Sequence, residues 1–112
     1  MSTDTGARHH ELAEALRAAT ASDAGVTEAS LRTAASTSAA GGPPGDEPYD
    51  SLARQIGDTS HRVTDTDVDV VRQATGSDKA TFEIVMSACV GAGLARWDAA
   101  VRVIEEATDA SP

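Results

Sequence analysis

This chain of 112 residues has one cysteine, one tryptophan, one tyrosine and one phenylalanine. Each scarcity excludes something. A single cysteine, Cys89, rules out an internal disulfide and any Cys-x-x-Cys pair. With aromatics at only 3%, alanine and valine must fill the core, which favours thin helices that approach closely. Such a core buries little apolar surface, and at roughly 25 cal/mol per Å2 a domain this small is marginal and gains from a partner. Basic residues are also few: nine against eighteen acidic ones, a formal charge of −9. The excess is spread along the chain, with three basic and six acidic groups in residues 1–46 and six and twelve in the rest. No basic cluster exists, which argues against nucleic acid and against anionic membrane surfaces. No run of about 18 apolar residues and no signal-peptide core is found, so the expected location is cytoplasmic.

What is present is helical patterning. Residues 9–19 place Leu12, Leu16 and Ala19 on one narrow face, and Asp23-Ala24-Gly25 breaks the pattern. Thr27 is placed to cap a second short helix over 28–35, with Leu31 its one large apolar residue. Residues 36–46, rich in glycine, proline and serine, read as a linker with nothing local to order their backbone. The expected division is therefore a weakly helical, flexible segment 1–46 and a compact helical core 47–112. In that core Tyr49, Leu52, Ala53 and Ile56 follow helical spacing and Gly57 is expected to end the helix. Thr64-Asp65-Thr66-Asp67 has the form of a capping box, Val68, Val71 and Ala74 would face inward, and Gly76 is placed as a left-handed stop. Ser77 or Asp78 then opens the longest helix, or helix pair. Phe82, Met86, Cys89, Gly93, Trp97, Ala100 and Ile104 hold one face of it for about seven turns, and its first half is expected to be nearly fully buried. Ser87, Gly91 and Ala95 form a small-xxx-small row that predicts close helix packing, although a helix-interior glycine costs about 1 kcal/mol against alanine.

Residues able to carry chemistry are sparse. Cys89, between Ala88 and Val90, reads as a buried filler rather than a redox thiol. His9, His10, Glu11 and Glu14 read as a solvated helix face and make a poor metal site. Asp65, Asp67 and Asp69 lack the glycine and glutamate of a calcium loop, so no metal is expected. Two residues remain as candidates for proton transfer. His61 precedes the capping box with no nucleophile beside it, and Glu83 interrupts the apolar helix. Glu83 is expected either exposed or in a salt bridge, with Arg72 or Arg96 as partners in the bundle, or across an oligomer interface.

The pairing of Phe82-Glu83-Ile84 and the small residues after it with Ala95-Arg96-Trp97-Asp98-Ala99-Ala100 resembles the helical segments of carboxymuconolactone decarboxylase-like and alkylhydroperoxidase D-like proteins. The upstream Val63-Thr64-Asp65-Thr66-Asp67-Val68 and the stop Gly76-Ser77-Asp78 are similar to that group as well, and in particular to short bacterial members without catalytic residues. The likeness covers about residues 49–107. It implies an all-α fold that associates through its long helices into dimers, trimers or hexamers. Active hydroperoxidase-type members carry a glutamate, a Cys-x-x-Cys pair and a histidine. With Glu83 on that glutamate, the other three fall near Leu94, Trp97 and Val101, and the histidine of the decarboxylase type is missing too. The resemblance thus implies no catalytic residue and no cofactor here.

The expectation from all of this is an all-α bundle acting as a non-catalytic subunit that self-associates, scaffolds a larger partner enzyme, or both. Its candidate interface is the seven-residue face of the long helix. The alternative is a divergent enzyme using His61 or Glu83 on a small molecule held between helices.

Overall fold

The structure, a computed structural model, describes residues 2–109. It contains α1 (Ser2–Thr20), α2 (Ala29–Ala39), α3 (Tyr49–Thr59), α4 (Asp65–Thr75) and α5 (Asp78–Asp109), with a 3-10 turn at Ser60–Arg62 and no strand among the described residues. The fold is all-α, as the patterning predicts.

Side-chain chemistry sets the ends of α4. The Asp67 N–H donates to the Thr64 hydroxyl oxygen at 3.2 Å while the Thr64 N–H donates to the Asp67 carboxylate at 2.9 Å, so two free amides of the first turn are satisfied reciprocally. Gly76 takes φ 73° and its N–H donates to the Arg72 carbonyl at 2.8 Å, the left-handed stop. One residue later Ser77 accepts from the Ala80 N–H at 3.2 Å and opens α5. The chain therefore reverses over two residues, Gly76 and Ser77, and lays α4 back on α5.

α5 is a single helix of 32 residues, about 48 Å long by its rise, in a molecule 56 Å in its longest dimension. Its first half is the spine of the bundle. Ile84, Ala88 and Ala92 are buried along one face, and α2 (Ala35, Ala39), α3 (Leu52, Ala53, Ile56) and α4 (Val71) close over them. The close packing foreseen from the small residues occurs at Gly91. A methyl there would overlap the Ser36 carbonyl, so α2 and α5 cross backbone to backbone.

The other glycine of the core corrects an expectation. Gly57 does not end its helix; α3 runs through it to Thr59. A Cβ at that position would strike the Ala39 carbonyl, so the glycine serves the crossing of α3 and α2. Similarly, α2 continues through Ala39, well into the stretch whose composition reads as linker, and Ser38 and Ala39 are buried. The rest of that stretch is tied down from α3. Asp50 accepts from the Ser38 hydroxyl at 2.6 Å and the Gly45 N–H at 2.8 Å, and Arg54 bonds Asp50 at 3.0 Å and the Gly42 carbonyl at 2.9 Å. Ordering comes from residues outside the segment, which its own composition cannot reveal. The core accordingly draws on both sides of Asp46.

The long helix is buried on one face, not nearly all round. Beyond Asp98 almost every residue is exposed. Ala74 of α4 is exposed as well, leaving Val71 buried and Val68 partly so. By length and composition α5 would also reach across a membrane, and 28% of that apolar window is buried within the bundle.

Candidate functional site

Glu83 is neither exposed nor bonded to Arg72 or Arg96. Its side chain is 15% exposed and closes a polar clamp on the loop between α1 and α2. The Thr27 hydroxyl donates to Oε1 at 2.7 Å, the Thr27 N–H to the same oxygen at 3.0 Å, and the Val26 N–H to Oε2 at 2.9 Å. Arg32 of α2, only 4% exposed, lies 3.7 Å from Oε1. It donates to the Thr20 carbonyl at 3.0 Å and also to the carbonyls of Ser22 and Thr27. Gly25 sits between the two, and a Cβ there would meet the Arg32 guanidinium and the Glu83 carboxylate. The hydroxyl of Thr27 is thus turned toward Glu83 instead of capping α2, whose N-cap, Glu28, makes no side-chain bond. Arg72 pairs with Asp69 and Asp78, and Arg96 donates to the Gly57 carbonyl at 2.7 Å.

These bonds decide the chemistry of the carboxyl. The Thr27 hydroxyl first, then the Val26 and Thr27 amides, hold its pKa down at about 2; burial opposes them and Arg32 adds to them. An ionised carboxylate with both oxygens occupied is a poor proton acceptor at neutral pH. His61, the other candidate, is exposed on the 3-10 turn between α3 and α4 and shares no hydrogen bond or cavity with Glu83. The two are not brought together. Asp65 and Asp67 lie in the first turn of α4, where Asp67 forms the capping box.

The seven-residue face of α5 forms the main exposed apolar feature. Phe82 is 62% exposed, Met86, Trp97 and Ile104 are exposed, and so are Gly93 and Ala100. Cys89, expected as a buried filler, is exposed on the same face. The correction has a simple cause. α2 crosses α5 at Gly91, where a side chain would strike the Ser36 carbonyl, and that crossing turns the Ile84, Ala88 and Ala92 side inward and leaves the Cys89 side out.

α1 stands along this outer face. Its Leu12 and Leu16 and the Cys89, Gly93 and Trp97 of α5 line a shallow cavity of about 430 Å3. The His9 ring meets the edge of Trp97 at 5.7 Å and 87°, and Arg17 bonds both carboxylate oxygens of Asp98 at 2.9 and 2.7 Å. Among the α1 residues whose burial is described, Ala13 alone is buried, and the Arg17–Asp98 pair that ties α1 to α5 is exposed and screened by salt. No family model, curated protein or solved structure matches the chain.

Sequence reasoning missed the clamp. Its one available signal was the pairing of an acid inside an apolar helix with an arginine inside a small-residue helix, each needing a partner on burial. The loop carbonyls that complete it are invisible without the tertiary structure.

Proposed function

We propose that this chain is a non-catalytic helical subunit that self-associates and scaffolds a partner enzyme, in the manner of short carboxymuconolactone decarboxylase-like proteins. The observation that carries the reading is the continuous apolar face on α5, from Phe82 to Ile104, flanked by Leu12 and Leu16 of α1. Contiguous exposed apolar surface is unfavourable in water and marks association sites. The occupied, strongly acidic Glu83 favours this reading over a divergent enzyme. The subunit acts in the cytoplasm, without cofactor, nucleic acid or membrane.

The test is affinity purification of the tagged full-length protein from its source cells, with the assembly mass from light scattering and its components from mass spectrometry. A stoichiometric companion enzyme, with the chain itself more than monomeric, is the expected result. A folded monomer at micromolar concentration that retrieves no partner overturns the proposal. For the enzyme alternative, an activity abolished by His61→Ala or Glu83→Gln in a still-folded protein would replace it.

A further inference from the structure

The two ends of α1 are held in different ways. At its C-terminal end the chain is gripped from the interior. Arg32, 4% exposed, donates to the carbonyls of Thr20, Ser22 and Thr27, and Glu83 accepts from the amides of Val26 and Thr27. Farther toward the N-terminus the contacts with α5 lie at the surface. Arg17 bonds both carboxylate oxygens of Asp98, their side chains 37% and 51% exposed, and the His9 ring meets the edge of Trp97. Leu12 and Leu16 cover the apolar cavity on α5 while remaining exposed themselves.

We infer that α1 is a releasable strap, which stays rooted at residues 20–27 while residues 6–17 lift from α5 and open the cavity over Cys89, Leu94 and Trp97. The inference stands apart from the self-association reading and follows from the contrast between root and arm. The root is bonded to a buried guanidinium on α2 and a mostly buried carboxylate on α5, and breaking it would leave charge uncompensated inside the bundle. The polar tie of the arm is an exposed ion pair. Such a pair favours the docked form by a factor of about five at most, and by less as salt rises.

Two further features ease release. Glu14 also bonds the Arg17 guanidinium, so Arg17 keeps an acidic partner that travels with the arm. A lone helix of this length is marginal in water, so the freed arm also unwinds in part and gains chain entropy. What release bares is apolar: Val90 and Leu94, half-buried beside the arm, join the exposed Met86 and Trp97 along α5.

The single cysteine and single tryptophan of the chain both line the covered cavity, so each reports on the arm without an added label. The test follows alkylation of Cys89 by uncharged iodoacetamide and quenching of Trp97 by acrylamide, in the full chain at fixed pH. Raising NaCl from about 20 mM to about 0.5 M shortens the screening length from about 20 Å to about 4 Å. This is expected to raise quenching and to speed alkylation by about two- to fivefold, the weight of an exposed pair. Arg17→Glu and Asp98→Lys should each react at the fast rate already at low salt, although they change the local charge in opposite directions. The double variant, with the pair reversed, should return toward the slow, salt-sensitive behaviour. Wild-type protein indifferent to salt, or single variants that react like the wild type, overturn the strap. So does protection that responds to dilution and not to these substitutions, which would assign the cover to a second copy and leave self-association standing.

Discussion

Phe82 and Ile84 are two positions apart on one helix and have opposite fates. Ile84 is fully buried against α2, α3 and α4, and its truncation to alanine is expected to cost about 3 kcal/mol through lost burial and a residual cavity. Phe82→Ala, in dilute protein, is expected within about 0.5 kcal/mol of neutral, since most of the ring is exposed. Urea unfolding of both variants checks the pair, and equal losses would mean that the stripes are assigned to the wrong sides. Glu83 has a pH signature. Its pKa falls from 4.5 unfolded to about 2 folded, so its stabilising contribution is complete above about pH 5 and is lost as pH falls toward 2. Asp50 and Asp67 are lowered in the same direction, Asp50 chiefly by the Ser38 hydroxyl and Asp67 by the Thr64 amide. The melting temperature should therefore be flat near neutrality and fall below about pH 4.5. Glu83→Gln should melt lower at pH 7 and show a shallower acid decline; an unchanged acid slope would exclude the clamp as its origin.

Helix ends and crossings answer to different residues. Thr64→Ala removes the acceptor of the capping box, and Gly76→Ala forces a side chain into the left-handed region; each is expected to cost about 1 kcal/mol in thermal unfolding. These effects are local to the α4 boundaries. At Gly91 and Gly57, where a methyl would overlap the backbone of α2, alanine should cost about 1–3 kcal/mol despite its better helix propensity. Gly93→Ala should do the reverse in dilute protein, raising stability, because that space is open. Circular dichroism melts of the three glycine variants separate the two roles, and a destabilised Gly93→Ala monomer would contradict the open surface.

The whole molecule is unevenly held. α2, α3, α4 and the first half of α5 share the buried cluster, whereas α1 and the end of α5 have almost no buried apolar contact. Amide exchange should be fastest in α1 and beyond Asp98, and slowest around Ile84, Ala88 and Leu52. If two copies pair through α5, raising the concentration should slow exchange around Gly93 and slow thiol-reagent labelling of the exposed Cys89. Labelling and exchange that ignore concentration would count against the pairing.

Much of this architecture was readable without coordinates. The all-α class, the Thr64 box, the Gly76 stop and a start at Ser77 or Asp78 depend on groups within four residues of one another, so local spacing carries them; Gly91 and Gly93 leave open whether one helix or two follows. The expected division near Asp46, the end at Gly57 and the buried Cys89 face were read from the same local signals and came out otherwise in the packing. What orders residues 40–48 is Asp50 and Arg54 of another element, and what engages Glu83 is a loop more than fifty positions away. Which side of α5 turns inward was settled by α2, whose backbone comes close at Gly91 and nowhere on the outer face. Helix formation is a matter of neighbours along the chain; burial is a competition among surfaces that meet only once the chain has folded.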